Sequence, residues 1–148
     1  MKLMELLNSK DFKHRSVVTV TQDEHVLKAA QIMAEHDRGA LPVCDNRGNV
    51  VGIITERDIV RKCFAPHHDL KQIKVKEIMT CNVVVATPED EIDYAINVMQ
   101  QKRIRHLPVI AEQKVIGMIS MRDLLGVRLE EHKIEVRFLN DYISYNLW

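Results

Sequence analysis

Gly52-Ile53-Ile54-Thr55-Glu56-Arg57-Asp58 returns later in the chain as Gly117-Met118-Ile119-Ser120-Met121-Arg122-Asp123. Each copy follows a β-branched pair, Val50-Val51 and Val115-Ile116, and each leads into an apolar helical pattern, Ile59-Val60 and Leu124-Leu125. The pattern predicts a strand that turns directly into a helix. The glycine leaves room for another group to approach the main chain closely. The hydroxyl and the acid, three residues apart at the helix start, allow two readings. They form a capping box, whose role ends with starting the helix. Alternatively, both point out of the same helix end. There a carboxylate can take both protons of a ribose cis-diol, and the unpaired amides favour a nearby anion. Two copies in the same context, each with the same arginine, favour the second reading.

Working outward, the context repeats as well. Val17-Val18-Thr19-Val20 reads as a strand. Thr21-Gln22-Asp23-Glu24 reads as a helix cap, and Val26, Ala29, Ala30, Ile32 and Met33 follow at helical spacing. That helix is expected to end near Asp37-Arg38-Gly39, ahead of a short strand, Leu41-Pro42-Val43, and a turn, Asp45-Asn46-Arg47-Gly48. Val83-Val84-Val85, the cap Thr87-Pro88-Glu89-Asp90, the helix positions Ile92, Ala95, Ile96, Val98 and Met99, and Leu107-Pro108-Val109 all fall 66 residues on. After the turn the offset drops to 65, as expected for a duplication with its one deletion in a loop.

The expected fold is therefore α/β (α+β), with two β-α-β-β-α units at residues 8–66 and 74–128. Ala65-Pro66-His67-His68-Asp69 links them, and Met1–Leu7 and Val75–Met79 are short helical lead-ins. Each unit is too small to hold a core alone. Packing them about a pseudo-two-fold axis solves this and places both Gly-to-Asp junctions in clefts between the units. Residues 129–148 read as an extra helical tail. Its stripes, Leu129/Val136/Leu139/Ile143 and Ile134/Phe138/Tyr142/Tyr145, ask for two burial surfaces, one of them suited to a second subunit.

The totals exclude several classes. Lys plus Arg is 21 and Asp plus Glu is 21, so a dedicated nucleic-acid binder with a basic excess is not expected. No apolar run approaches the roughly 18 residues of a membrane span. Met1-Lys2-Leu3-Met4-Glu5-Leu6-Leu7 lacks the apolar core of a secretory signal. Three cysteines, Cys44, Cys63 and Cys81, suggest a reducing, cytoplasmic setting. Cys63, His67, His68 and Cys81 lack zinc-ligand spacing, so no metal is expected. No nucleophile–base arrangement is visible, so no enzyme activity or required cofactor is expected.

Two copies of strand, helix, Leu-Pro-Val and Gly-x-x-(Thr/Ser)-x-x-Asp resemble a pair of cystathionine-β-synthase (CBS) domains, a Bateman module, over roughly residues 1–125. The resemblance implies sensing rather than catalysis, with adenosine ligands such as AMP, ADP, ATP or NAD(H), and less readily S-adenosylmethionine, bound between the repeats. Carried onto this chain, it implies that Asp58 and Asp123 hold ribose hydroxyls. Thr55 and Ser120 would bond near the ribose or α-phosphate. Val17, Val18, Val83 and Val84 would face adenine, with Ile53 and Met118 on its other side, and Pro42 and Pro108 would complete the lining. It also implies that Asp58 groups with Val83-Val84, and Asp123 with Val17-Val18. Before the second Leu-Pro-Val stand Arg105 and His106, and before the first stand Gly39 and Ala40. The resemblance thus implies two unequal clefts, one basic and suited to phosphate with His106 held protonated, the other lined by Gly39 and Ala40. Arg57 and Arg122 are further candidate cations. A homodimer and a regulated partner protein are expected. The rival reading is a constitutive interaction scaffold whose motifs only cap helices.

Overall fold

An antiparallel hairpin forms the centre of each half in the computed structural model, which describes residues 1–130, 139–141 and 143. The expected striped tail falls mostly outside those residues. In the first half, β2 (Ala40–Cys44) pairs with β3 (Val50–Thr55), and β1 (Val20–Thr21) adds to β2 in parallel. In the second, β4 (His106–Ala111) pairs with β5 (Lys114–Ser120). Both hairpins carry an irregularity at the same place, Val43/Cys44 and Val109/Ile110. The shorter second turn puts Glu112 and Gln113 at positive φ, 51° and 67°. The longer first turn is tied by Asp45 Oδ1, which accepts from the amides of Arg47 and Asn49 at 2.9 Å each.

The first strands are shorter than expected. Val17–Thr19 lies outside β1, and Val83–Val85 gives no strand; the second half keeps one parallel bridge, Ala86 to Val109. Val20 and Ala86 are turned fully into the cores, whereas Val18 and Val84 pack on them only in part. Upstream, Val17 is exposed and the chain leaves the sheet.

Helices α2 (Val26–His36) and α5 (Ile92–Lys102) lie 66 residues apart and end alike. Asp37 and Arg103 take the left-handed position after each, at φ 52° and 55°, and α2 ends where expected, ahead of Asp37-Arg38-Gly39. Their starts differ from the sequence expectation. Thr21–Glu24 and Thr87–Asp90 form turns, and neither helix has a side-chain cap. Main-chain carbonyls take that role. Val26 N donates to Ile73 O at 2.9 Å, Leu27 N to Leu70 O at 3.0 Å, and Ile92 N to Met1 O at 3.0 Å.

Those bonds reveal an exchange. Helix α1 (Leu3–Leu7) docks on the second half: Leu3 N donates to Asp90 O and Met4 N to Pro88 O, both at 2.9 Å. Helix α4 (Val75–Ile78), the lead-in to the second repeat, docks on the first in the equivalent way. Val75 N donates to Glu24 O at 2.8 Å and Lys76 N to Gln22 O at 3.0 Å. The cores follow suit. Leu3, Leu6 and Phe12 join Ile92, Met99, Leu107, Ile119 and Leu124 in one. Val75 and Ile78 join Val26, Met33, Leu41, Ile54 and Ile59 in the other. Each half therefore completes the other's interior. Helix α3 (Glu56–Asp58) runs on as a π-helical segment, Ile59–Phe64, whereas α6 (Met121–Glu130) stays α-helical.

Candidate functional site

Strands β3 and β5 deliver the two motif copies to the helix starts, and there the carboxylates turn back on their own main chain. Thr55 N donates to Asp58 Oδ2 at 3.0 Å, and Asp58 N donates to Thr55 Oγ1 at 3.1 Å. In the second copy Ser120 N donates to Asp123 Oδ2 at 2.9 Å, and Asp123 N to Ser120 Oγ at 3.1 Å. Both junctions are thus reciprocal capping boxes. The pairs do not both project outward, as the ligand reading expected. In each, Oδ1 remains for something else.

The room at the two glycines is taken by the chain itself. A β-carbon on Gly52 would stand 2.6 Å from Met79 Sδ and 3.0 Å from Thr80 O, and one on Gly117 would stand 2.7 Å from Leu7 Cδ2. The group that closes on the main chain at each motif is the exchanged lead-in, not a ligand. Thr80 also zips onto Ile53 through paired amide bonds of 3.0 and 2.9 Å.

The remaining oxygens separate the two sites. Asp58 Oδ1 meets Lys62 Nζ at 3.0 Å, one turn along its own helix. Val127 stands where the second repeat would carry that lysine. Asp123 Oδ1 instead meets Arg15 Nη1 at 3.2 Å, a cation 108 residues away in the chain. Arg15 is held by Phe12, whose ring centroid lies 4.0 Å from the guanidinium carbon, and by a 3.2 Å bond from Nε to Asp11 O.

A cleft of about 1740 Å³ opens beside Asp123. It gathers Ser120, Asp123 and Met118 with Val17 and Val18, the grouping inferred from the sequence. Arg105, His106 and Arg122 line it too, and so do Gly39, Ala40 and Pro42. This corrects the expectation that the basic pair and the Gly-Ala pair mark separate clefts. They meet near the pseudo-dyad, where a β-carbon on Gly39 would lie 3.5 Å from the His106 ring. Thr55, Asp58, Ile53, Val83, Val84, Arg57 and Pro108 line neither this cleft nor a smaller cavity of about 360 Å³ beside Lys114. Val84 packs on the second core, and Arg57 is exposed. The sequence reading missed Arg15 and Arg38, which also border the cleft. Arg15 lies in the polar stretch between α1 and β1, and its position just before Val17-Val18 was the available signal.

Charge in the cleft is mixed. Arg15, Arg38, Arg105 and Arg122 face Asp37, Glu56 and Asp123 around one space. Burial pushes the His106 imidazole below its usual range. Asp123 pulls it back up, and Arg105 pushes it further down. In this setting His106 favours its neutral form. Among the described residues no group of acids, histidines and cysteines is arranged to hold a metal ion. None of the helices there is long and apolar enough to cross a membrane.

A doubled hairpin-and-helix unit, interlocked by exchanged lead-ins and opening a cleft beside Asp123, is the architecture of a paired-repeat module. The CBS domain model matches residues 10–65 and 75–130, and the chain belongs to the CBS-domain family. A CBS-domain protein of Burkholderia ambifaria has the same fold, with a TM-score of 0.80 and 34% identity over 89% of this chain and 96% of that one. The mitochondrial CBS domain-containing protein CBSX3 of Arabidopsis thaliana is 39% identical over 84% of this chain, which spans 62% of that relative's length. The CBS domain pair of protein MJ0100, solved with 5′-methylthioadenosine and S-adenosyl-L-methionine, superposes with a TM-score of 0.77 at 26% identity, over 88% of this chain and 98% of that one. CBS-pair proteins are regulatory modules.

Proposed function

We propose that this chain is a regulatory module that binds an adenosine-containing ligand, AMP, ADP, ATP or NAD(H), in the Asp123 cleft and passes its state to a partner protein. The observation that carries this is the meeting of Ser120, Asp123, Val17, Val18, Arg105 and His106 around one cleft. An apolar wall suits a base, a carboxylate suits ribose hydroxyls, and a basic edge suits phosphate. The adenosine compounds in MJ0100 support the ligand class and raise the standing of S-adenosylmethionine among the candidates. Ligand shifts such a module only by binding one arrangement of its halves more tightly than another.

The Asp58 junction supports a different role. Its carboxylate is buried and shared between Thr55 N and Lys62, and Thr80 closes over Ile53. Asp58 serves as a helix cap, which is the scaffold reading applied to one half. Calorimetry with AMP, ATP, NADH and S-adenosylmethionine tests both roles. At least one ligand should bind, and Asp123→Asn should weaken it by about tenfold or more, while Asp58→Asn leaves it unchanged. Binding of none of them by the intact protein removes the cleft reading. Equal loss in both variants removes the assignment to Asp123.

A further inference from the structure

Arg15 breaks the symmetry of the two repeats. Its counterpart 66 residues on is Cys81, and the counterpart of Asp58's lysine is Val127. The first carboxylate is served by its own helix, and the second by a segment between α1 and β1 that borders the cleft at Asp11, Phe12, Lys13, Arg15 and Ser16. The guanidinium sits on Asp123 Oδ1, the one oxygen the capping box does not use.

We infer that Arg15 is the specificity-determining residue of the cleft, occupying Asp123 until a ligand's own anion draws it away. The inference rests on the adenosine reading above and deepens it. A ribose competing for Oδ1 has to displace the guanidinium. A nucleoside offers nothing in return, so the cation loses its partner. A nucleotide offers a phosphate, and Arg15 exchanges one anion for another at little net cost. Its side chain is 38% exposed, so it has room to move, and the Phe12 ring holds it at the cleft edge either way. Arg105 and His106 line the same space and can share the phosphate with it. The segment thus acts as an internal stand-in that selects against unphosphorylated adenosine.

The test compares AMP with adenosine on the full chain and on Arg15→Gln. An exposed ion pair of this kind is worth under about 1 kcal/mol, so its removal should tighten adenosine by about threefold to fivefold. Loss of a charge-assisted phosphate contact should weaken AMP by about tenfold. The preference for AMP therefore collapses from both sides. Arg15→Lys, which keeps the charge, should retain most of it. If both ligands change by one common factor, or neither changes, Arg15 has no selective role although the cleft still binds. If neither ligand binds to the full chain or to any variant, the cleft reading itself has failed, and the selectivity falls with it. Adenosine binding to Arg15→Gln alone would support the displacement directly.

Discussion

His106 is the residue where the environment and the proposed task pull in opposite directions. Burial and Arg105 favour the neutral ring, and Asp123 favours the charged one. The lowered folded value means that the unfolded chain binds more protons below its value of about 6.5. Stability from this group is therefore complete above that pH and is lost as pH falls from there toward the folded value. Thermal unfolding followed from about pH 7.5 to about pH 5.5 should show a steeper loss for the native protein than for His106→Gln. An arriving phosphate reverses the preference, so AMP binding near neutral pH should take up a proton at His106. Calorimetry in two buffers of different ionisation enthalpy reads that uptake, and His106→Gln should abolish the difference. Identical enthalpies in both buffers for the native protein would mean the imidazole does not meet phosphate. Arg105 and His106 were legible in the sequence as an imbalance between the repeats. Their joining with Gly39 and Ala40 was not, because strand starts 66 residues apart meet only once the halves are packed. Arg15 was hidden for a related reason: an ion pair spanning 108 residues leaves no local pattern.

At the scale of elements, the repeated glycines carry the lesson. Their spacing was visible, and so was the need for space beside the main chain. The occupant was not, since a short apolar helix gives no sign of which neighbour it will cover. Leu7 fills the space at Gly117, and Met79 with the Thr80 carbonyl fills it at Gly52. Gly117→Ala should destabilise by about 1–3 kcal/mol through overpacking. Adding Leu7→Ala to that variant should recover part of the loss, because the clash is with a side-chain tip. Gly52→Ala should resist such rescue by Met79→Ala, because the Thr80 carbonyl stays at 3.0 Å. Denaturant unfolding of the singles and doubles gives the coupling, and strict additivity at Leu7/Gly117 would refute the contact. The helix starts show the same limit. Thr-x-x-Glu before α2 and Thr-x-x-Asp before α5 matched the capping pattern, yet the carbonyls of Ile73 and Leu70, just ahead of α4, and of Met1 supply the amide partners. Of the second motif one half survives, Thr87 N donating to Asp90 Oδ2 at 2.8 Å, while the helix amides take tertiary partners that only the duplicated fold could provide.

For the molecule as a whole, the duplication was fully legible and the exchange was not. Two patterns at a fixed offset announce two units, but either assignment of α1 and α4 fits the same sequence. The exchange has a direct test in fragments cut at the Ala65–Asp69 linker. Each fragment carries a lead-in that belongs to the other and lacks the one its own core requires. Residues 1–66 and 67–148 should each fail to show cooperative unfolding alone, and mixing them should restore a folded complex. Independent folding of either fragment would show that the cores do not depend on the exchanged helices. CBS-pair proteins are regulatory modules, and the interlock bears on how this one can change shape.

Because α1 and α4 are each rooted in the opposite interior, the halves are tied to each other at two places. Swinging one away from the other would draw a buried plug out of both at once. A ligand bound in the cleft, as proposed, would act on a body fastened twice, where small slips of tightly fitted surfaces cost less than an opening and closing of jaws.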